Sequence, residues 1–379
     1  MNLELTEEQC MLQDILSRFL SDQYTFDQRQ KLSQQGIGYS EQNWQNFAEL
    51  GLLGIPFEEQ YGGFNFGATG LMIVMDAIGK GLVVEPYLST VVLGGQLIQK
   101  AGSEAQKLDL IPQLIEGKLK LAFAYIERQS RYELSNVSLK AERQADSFFL
   151  TGSKSVVFNA ETADKIIVTV RTSGNNRDKN GISLFLLDKG ALGVSMKNYH
   201  TVDGLRASEL FFDQVEVSHD AIIGELDAAY PIVEQIIDGA SAAICAEAVG
   251  VISQLREKTV EYLKIRKQFS RPLSDFQVLQ HRAVDMFMAE EQMRSLSYLA
   301  NIKIDGGSRS EQIRAISAAK VYLGDSRSVV GEQAIQLHGG VGVTDELDVA
   351  HYYKRLTMLN NLFGDRDFHL ERFGQVELV

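Results

Sequence analysis

Glu247 is the residue whose setting most demands a chemical explanation. The segment from Pro231 reads as a helix, because proline is tolerated in a first turn. Its apolar stripe runs Val233, Ile237, Ala240, Ile244, then Glu247, then Val251 and Leu255. Steps of three and four residues put these side chains on one face. A carboxylate inside a buried stripe is costly unless it is paired or protonated. Desolvation raises its pKa, which is the direction a general base working near neutrality needs. The residues alone leave two readings of equal weight. One is a general base; the other is a core glutamate satisfied by a backbone group or an arginine.

A second set lies in Tyr262-Leu-Lys-Ile-Arg266-Lys-Gln268-Phe269-Ser-Arg-Pro272-Leu-Ser-Asp-Phe276-Gln277. Arg266 offers a planar fork that matches a phosphate, and Phe269 and Phe276 offer faces for a ring system. The plainer reading is a solvated basic face on a helix that Pro272 ends. A third set is Gln336-Leu337-His338-Gly339-Gly340-Val-Gly342. Paired glycines let backbone approach a ligand and free amide N–H groups for phosphate oxygens. The run follows no strand, so it is not a dinucleotide fingerprint of the Rossmann kind. His338 has no metal-ligand partner at helical spacing and reads as structural. Asp203-Gly204-Leu-Arg206-Ala-Ser208 reads as a tight turn entering a strand.

Three textures position these residues. Residues 1–118 read as helices: Thr6 before Glu-Glu and an apolar-periodic run marks a capped helix start. Ser40 with the 44–53 stretch suggests another helix, and 71–78 a third. Residues 119–228 shift toward a period of two with β-branched residues, giving strands at 138–142, 148–151, 165–170, 183–187 and 210–217. Residues 229–379 return to long helices, which only five prolines in the whole chain leave unobstructed. Blocks of this kind predict a mainly α protein with a central β lobe, not a doubly wound sheet.

Composition excludes several classes. The 379 residues carry 37 basic and 50 acidic side chains, a net charge of −13. Bulk attraction to nucleic acid or an anionic membrane therefore fails, since both need a basic footprint. Two distant cysteines, Cys10 and Cys245, give neither a disulfide framework nor a zinc site. The start shows no basic and apolar leader pattern, and no apolar run reads as a bilayer span. A cytoplasmic protein is the expectation.

Taken together and in order, these motifs resemble the acyl-CoA dehydrogenase family. Arg266-Lys-Gln268-Phe269 with Pro272-Leu and Phe276-Gln277, then Gln336-Leu337-His-Gly-Gly340, carry the resemblance. Leu52-Leu-Gly-Ile-Pro56 with Tyr61-Gly-Gly63 and Asp203-Gly-Leu-Arg206-Ala-Ser208 extend it nearly end to end. Phe276-Gln-Val-Leu-Gln-His281 and His351-Tyr-Tyr-Lys-Arg-Leu-Thr-Met358 are most similar to the branch of pimeloyl-CoA dehydrogenase small subunits. The resemblance implies an N-terminal helical lobe, a small β-barrel and a C-terminal four-helix bundle. It implies FAD, an acyl-CoA substrate (a dicarboxylyl-CoA among the candidates) and an electron-transfer flavoprotein as acceptor. It implies a homodimer or homotetramer, or a hetero-oligomer with a large subunit. In the family the Arg-x-x-Phe and Gln-x-x-x-Gly elements reach a FAD held mainly by a neighbouring subunit. That carries over to Arg266, Phe269, Gln336 and Gly340, with Gln268, Phe276 and Leu337 alongside.

Three departures from the family pattern bear on mechanism. The usual Tyr-Glu-Gly-Thr stretch with the catalytic base is here Asn361-Leu-Phe363-Gly364-Asp365, without the glutamate. A substitute position on the first long C-terminal helix matches Ala240, which cannot be a base. Glu247 lies two turns on, on the same face, and is the expected base, with Asp365 as the alternative. At the flavin edge a usual Thr-Glu-Pro is Ile126-Glu127-Arg128, and a usual Trp-x-Thr is Val156-Val157-Phe158. The first expectation is α,β-dehydrogenation by Glu247 with hydride transfer to flavin N5. The second is a non-autonomous subunit lending its residues to FAD in a large partner. An oxidase on the same fold and a pure scaffold are the remaining readings. The chain is short for an acyl-CoA oxidase, and a scaffold leaves the ordered motifs unexplained.

Overall fold

The computed structural model describes residues 6–34 and 36–377. The expected absence of a leader rests in part on residues 1–5, which lie outside the described part. Six α-helices come first: α1 (Glu7–Gln23), α2 (Phe26–Gln34), α3 (Glu41–Glu49), α4 (Gly67–Gly81), α5 (Gln96–Ala101) and α6 (Glu104–Ile115). Thr6 opens α1 with a reciprocal capping box through Gln9, and Ser40 caps α3, so the polar signals placed both starts. A buried π-helical stretch, Leu88–Gly95, precedes α5.

Eight strands follow: β1 (Leu121–Ala124), β2 (Lys140–Gln144), β3 (Ser147–Phe158), β4 (Lys165–Arg171), β5 (Ile182–Asp188), β6 (Val194–His200), β7 (Arg206–Ser218) and β8 (Ile222–Ile223). They form one mostly antiparallel sheet in the order β6-β7-β3-β2-β4-β5-β8, with β1 pairing parallel to β4. Ile166, Ile167, Val168 and Val170 of β4 are buried on both faces, the pattern of an interior strand. Phe148, Leu150, Val157, Phe185, Leu210, Phe212 and Val215 build the core beneath the sheet. The five expected strands are present; β1, β6 and the two-residue β8 were not foreseen.

The rest is helical apart from one hairpin. Helix α7 (Tyr230–Ile265) leads to the pair β9 (Lys267–Gln268) and β10 (Arg271–Pro272). Then come α8 (Gln277–Gly306), α9 (Arg309–Ser326), α10 (Gln333–His338), α11 (Asp348–Asn361) and α12 (Arg366–Glu377). Helix α7 is long and apolar enough to cross a membrane by composition, which corrects the sequence reading that no such run exists. Its most apolar window is 94% buried inside the protein, which makes it a core helix.

The chain divides into two compact units. One comprises Met1–Lys31, Ala68–Val83 and Ser241–Val379; the other comprises Leu32–Gly67 and Val84–Ala240. In the first unit α4 and α7 cross at backbone contact. A Cβ on Gly79 would stand 2.0 Å from the Glu247 carbonyl oxygen, and one on Gly250 would stand 2.0 Å from that of Asp76. Only glycine permits this crossing.

Candidate functional site

Every member of the α7 stripe is buried, Glu247 included at 2% exposure. The carboxylate is not free. Arg355, on the buried face of α11, donates Nε to Oε1 at 2.6 Å and Nη2 to Oε2 at 2.9 Å. This is the two-pronged geometry in which guanidinium and carboxylate match best. Of the two readings that the sequence left open, the structure presents the glutamate satisfied by an arginine. Asp365 is also engaged: its Oδ1 accepts the Phe368 N–H at 2.9 Å and opens α12. Ala240 is buried and apolar.

The remaining expected residues lie in the same unit, at the ends of α7 and α10. Helix α7 stops at Ile265, so Arg266 to Pro272 lie beyond it rather than on a helical face. This corrects the expectation that Pro272 ends the helix. Gln268 pairs with Arg271 across the hairpin, and Phe269 and Ser270 turn it with φ of +53° and +66°. A two-residue turn of this hand normally takes Asn-Gly. Here it carries a phenylalanine that is 86% exposed. Phe269 meets Phe276 edge-on at 6.2 Å, and the Arg271 guanidinium sits 4.0 Å over the Phe276 ring. Arg266 is exposed, and among the described residues no side chain pairs with its guanidinium.

Gln336 and Gly340 are exposed, whereas Leu337 is buried and packs inward. Leu337 thus offers a ligand its backbone alone. Gly339 turns the chain at φ +67°, and a Cβ on Gly339 or Gly340 would meet nothing within 4 Å. His338 joins the two motifs. Its ring stacks on Tyr262 at 4.4 Å, and its carbonyl accepts the Tyr262 hydroxyl at 3.4 Å. Its Nδ1 donates to the Ala334 carbonyl at 2.8 Å, and burial holds its pKa below the usual histidine value. It is the structural histidine that the sequence suggested.

These features test the fit of FAD. An unpaired guanidinium, the exposed aromatic face of Phe269 and open glycine backbone suit the pyrophosphate and adenosine end of the dinucleotide. The residues expected at the ring end lie in the other unit and fit less well. Ile126 and Phe158 bring no side-chain donor, and the Ile126 carbonyl is taken by the Ser155 N–H at 2.8 Å. Val156 stands at φ +52° on a bulge of β3. Glu127 is committed as well. It accepts the buried Lys154 ammonium at 2.7 Å and the N–H groups of Ser138 and Leu139 at 2.8 and 3.1 Å. Its carboxyl is consequently held below the ordinary glutamate value despite burial. Burial brings Lys154 down to about 8.

Sequence reasoning missed Arg355, Lys154 and the Tyr262–His338 stack. A signal for Arg355 was present. It falls in register with Val349, Tyr352, Leu356 and Leu359, all buried on α11. A basic residue on one apolar stripe is the natural complement of an acidic residue on another.

Comparison with known proteins fixes the class. Residues 6–118, 122–215 and 231–377 match the N-terminal, middle and C-terminal domains of acyl-CoA dehydrogenase. The chain therefore belongs to the acyl-CoA dehydrogenase family, flavoprotein oxidoreductases that use FAD to dehydrogenate acyl-CoA thioesters. Among its relatives, the probable acyl-CoA dehydrogenase YngJ of Bacillus subtilis (strain 168) is 28% identical over 354 residues, 92% of each chain. The FAD complex of PigA superposes with a TM-score of 0.91 at 25% identity, over 99% of this chain and 98% of that one. The Tcur3481-Tcur3483 steroid ACAD superposes with a TM-score of 0.87 at 27% identity, over 98% of both.

Proposed function

We propose that this chain is a subunit of a FAD-dependent acyl-CoA dehydrogenase and lends half of a cofactor site to a second, unlike chain of the same fold. The observation that carries this reading is the hairpin after α7. It holds an unpaired guanidinium at Arg266 and a strained, exposed aromatic tip at Phe269. Backbone strain of this kind costs about 1–3 kcal/mol and persists where it serves a function. Arg266 would take the pyrophosphate as a fork. Phe269 and Phe276 would cover the adenine face, and Gln336 with the Gly340 and Leu337 backbone would close the other side. Gln268 holds the hairpin in register. The lent residues bind and orient; FAD, when bound, supplies the hydride acceptor.

Two observations support placing the reacting base on the partner. Glu247 is forked to Arg355, and the family's base-bearing stretch has an apolar residue at Phe363. A neighbour of the same fold is itself named as a pair, the Tcur3481-Tcur3483 steroid ACAD, which fits the same arrangement. The rest of the proposal comprises an electron-transfer flavoprotein as acceptor, a role in β-oxidation of an acyl-CoA or dicarboxylyl-CoA, and a cytoplasmic location. A division at about residues 118 and 228 belongs to it too. The second reading keeps Glu247 as general base in a self-sufficient homo-oligomer, on the strength of its place in the apolar stripe.

The visible spectrum of the chain purified alone, then under anaerobic acyl-CoA, separates the readings. The proposal expects a colourless protein that retains FAD only when co-purified with an unlike chain. Bound flavin that bleaches with acyl-CoA in the chain alone would overturn it. Glu247→Gln would then identify the base, by abolishing bleaching while flavin stays bound.

A further inference from the structure

Lys320 of α9 is wholly buried, yet it has no carboxylate partner among the described residues. Its Nζ donates to three backbone carbonyls, those of Leu359 at 2.9 Å, Asn360 at 3.1 Å and Leu362 at 2.8 Å. Leu359 and Asn360 end α11 and Leu362 caps it, where helical geometry leaves carbonyls without amide partners. An ammonium has three N–H donors and no acceptor. Three carbonyls therefore use it completely. A neutral amine would offer two donors and turn a lone pair toward the third.

The chain beyond α11 makes a turn over residues 362–365. Phe363 stands at φ +60° and Gly364 at φ +116°. For a non-glycine residue the left-handed region costs about 1–2 kcal/mol, and Phe363 is buried at 7% exposure, which leaves it no solvent-side alternative. The turn is pinned from its far side too. His369 of α12 donates Nε2 to the Phe363 carbonyl at 3.2 Å and accepts from the Ser317 hydroxyl at 3.4 Å. A Cβ on Gly364 would stand 2.4 Å from the Phe368 ring and 2.7 Å from the His369 ring.

We propose that Lys320 is the positioning residue of the 362–365 turn: its ammonium, saturated by two carbonyls of α11 and that of Leu362 in the turn, holds Phe363 left-handed and so sets where Phe363 and Asp365 stand. The inference concerns the backbone alone and holds whichever chain carries the base.

The titratable groups that face Lys320 are Cys245, His369 and Asp365. Burial pushes the Cys245 thiol of α7 up to about 12. Burial, with Lys320 and Arg372, pushes His369 down to about 3. Asp365 draws the lysine's proton affinity up, but burial dominates and brings Lys320 down to about 8. Because burial lowers the lysine's proton affinity, an opened and hydrated turn would hold that proton more tightly, and alkaline pH favours the closed turn.

Amide hydrogen exchange on the full chain at pH 7 tests this. Lys320→Met should lose about tenfold protection at residues 363–365, while peptides of α8 stay level. Lys320→Gln, which keeps two of the donors, should restore part of that protection. A Lys320→Met protein with wild-type protection at the turn, or a Lys320→Gln protein no better protected than Lys320→Met, overturns the proposal. Should Lys320→Met not fold, Phe363→Gly decides, because it removes the strain that the ammonium holds. It should raise protection at residues 364–365, and an unchanged or lower protection there would overturn the proposal.

Discussion

At the scale of residues, the Glu247–Arg355 fork sets the largest stake. Removing one partner leaves an uncompensated charge in a buried site, which costs about 3–5 kcal/mol. Arg355→Met should therefore lower the urea midpoint by that equivalent. Glu247→Met with Arg355→Met should recover most of it, since a buried ion pair traded for apolar volume is often neutral. A single variant as stable as the wild type would show the pair to be dispensable. The glutamate was visible in sequence because it interrupts an apolar stripe. Its partner was not, because 108 residues separate them and local periodicity carries no information about which stripes meet.

At the scale of elements, two short features carry the argument. The α4–α7 crossing relies on Gly79 and Gly250, each against the other helix's carbonyl. Gly79→Ala must push the helices apart and should cost at least about 1–3 kcal/mol, as overpacking does. Thermal melting with far-UV circular dichroism would read the loss, and an unchanged melting point would mean that the helices yield freely. In the hairpin, Ser270→Gly should stabilise the turn by about 1 kcal/mol by relieving its left-handed residue. On the proposed function it should leave FAD retention in the assembled enzyme intact, whereas Arg266→Ala should lose it. Helix starts were legible because caps are local chemistry: Thr6 and Ser40 announce α1 and α3. The end of α7 was not, because Arg266 to Ser270 are as polar as a solvated helix face and only the backbone reveals the hairpin. Strand β6 was hidden because its side chains alternate between half-buried and exposed, with little apolar contrast.

At the scale of the whole molecule, acid should weaken the fold before most carboxylates titrate. His369 is held neutral in the folded chain, at about 3 against 6.5 unfolded. The unfolded chain then binds the extra proton, so stability is full above pH 6.5 and falls progressively toward pH 3. His369→Gln should flatten that slope in urea titrations between pH 6.5 and 4; an unchanged slope would assign acid sensitivity elsewhere. Lys320 acts in the same sense at the alkaline end, where the unfolded chain again holds the extra proton. Its burial cost is full below pH 8 and eases as pH rises toward 10.5. The block order of helix, strand and helix was legible from texture, and it suffices for the fold class. The division into two units was not, because the first gathers chain from three separate stretches.

The turn at 362–365 has one more consequence. Its shape is written in backbone carbonyls and in Lys320 and His369, not in the side chains that it displays. A lineage is then free to exchange the residue at position 363, carboxylate for aromatic or the reverse, without rebuilding the loop that bears it. Gene duplication followed by such an exchange would turn one copy of a working enzyme into an accessory while its architecture stayed the same. The ancestry of paired subunits should accordingly show faster drift at the tip of this turn than at the lysine beneath it.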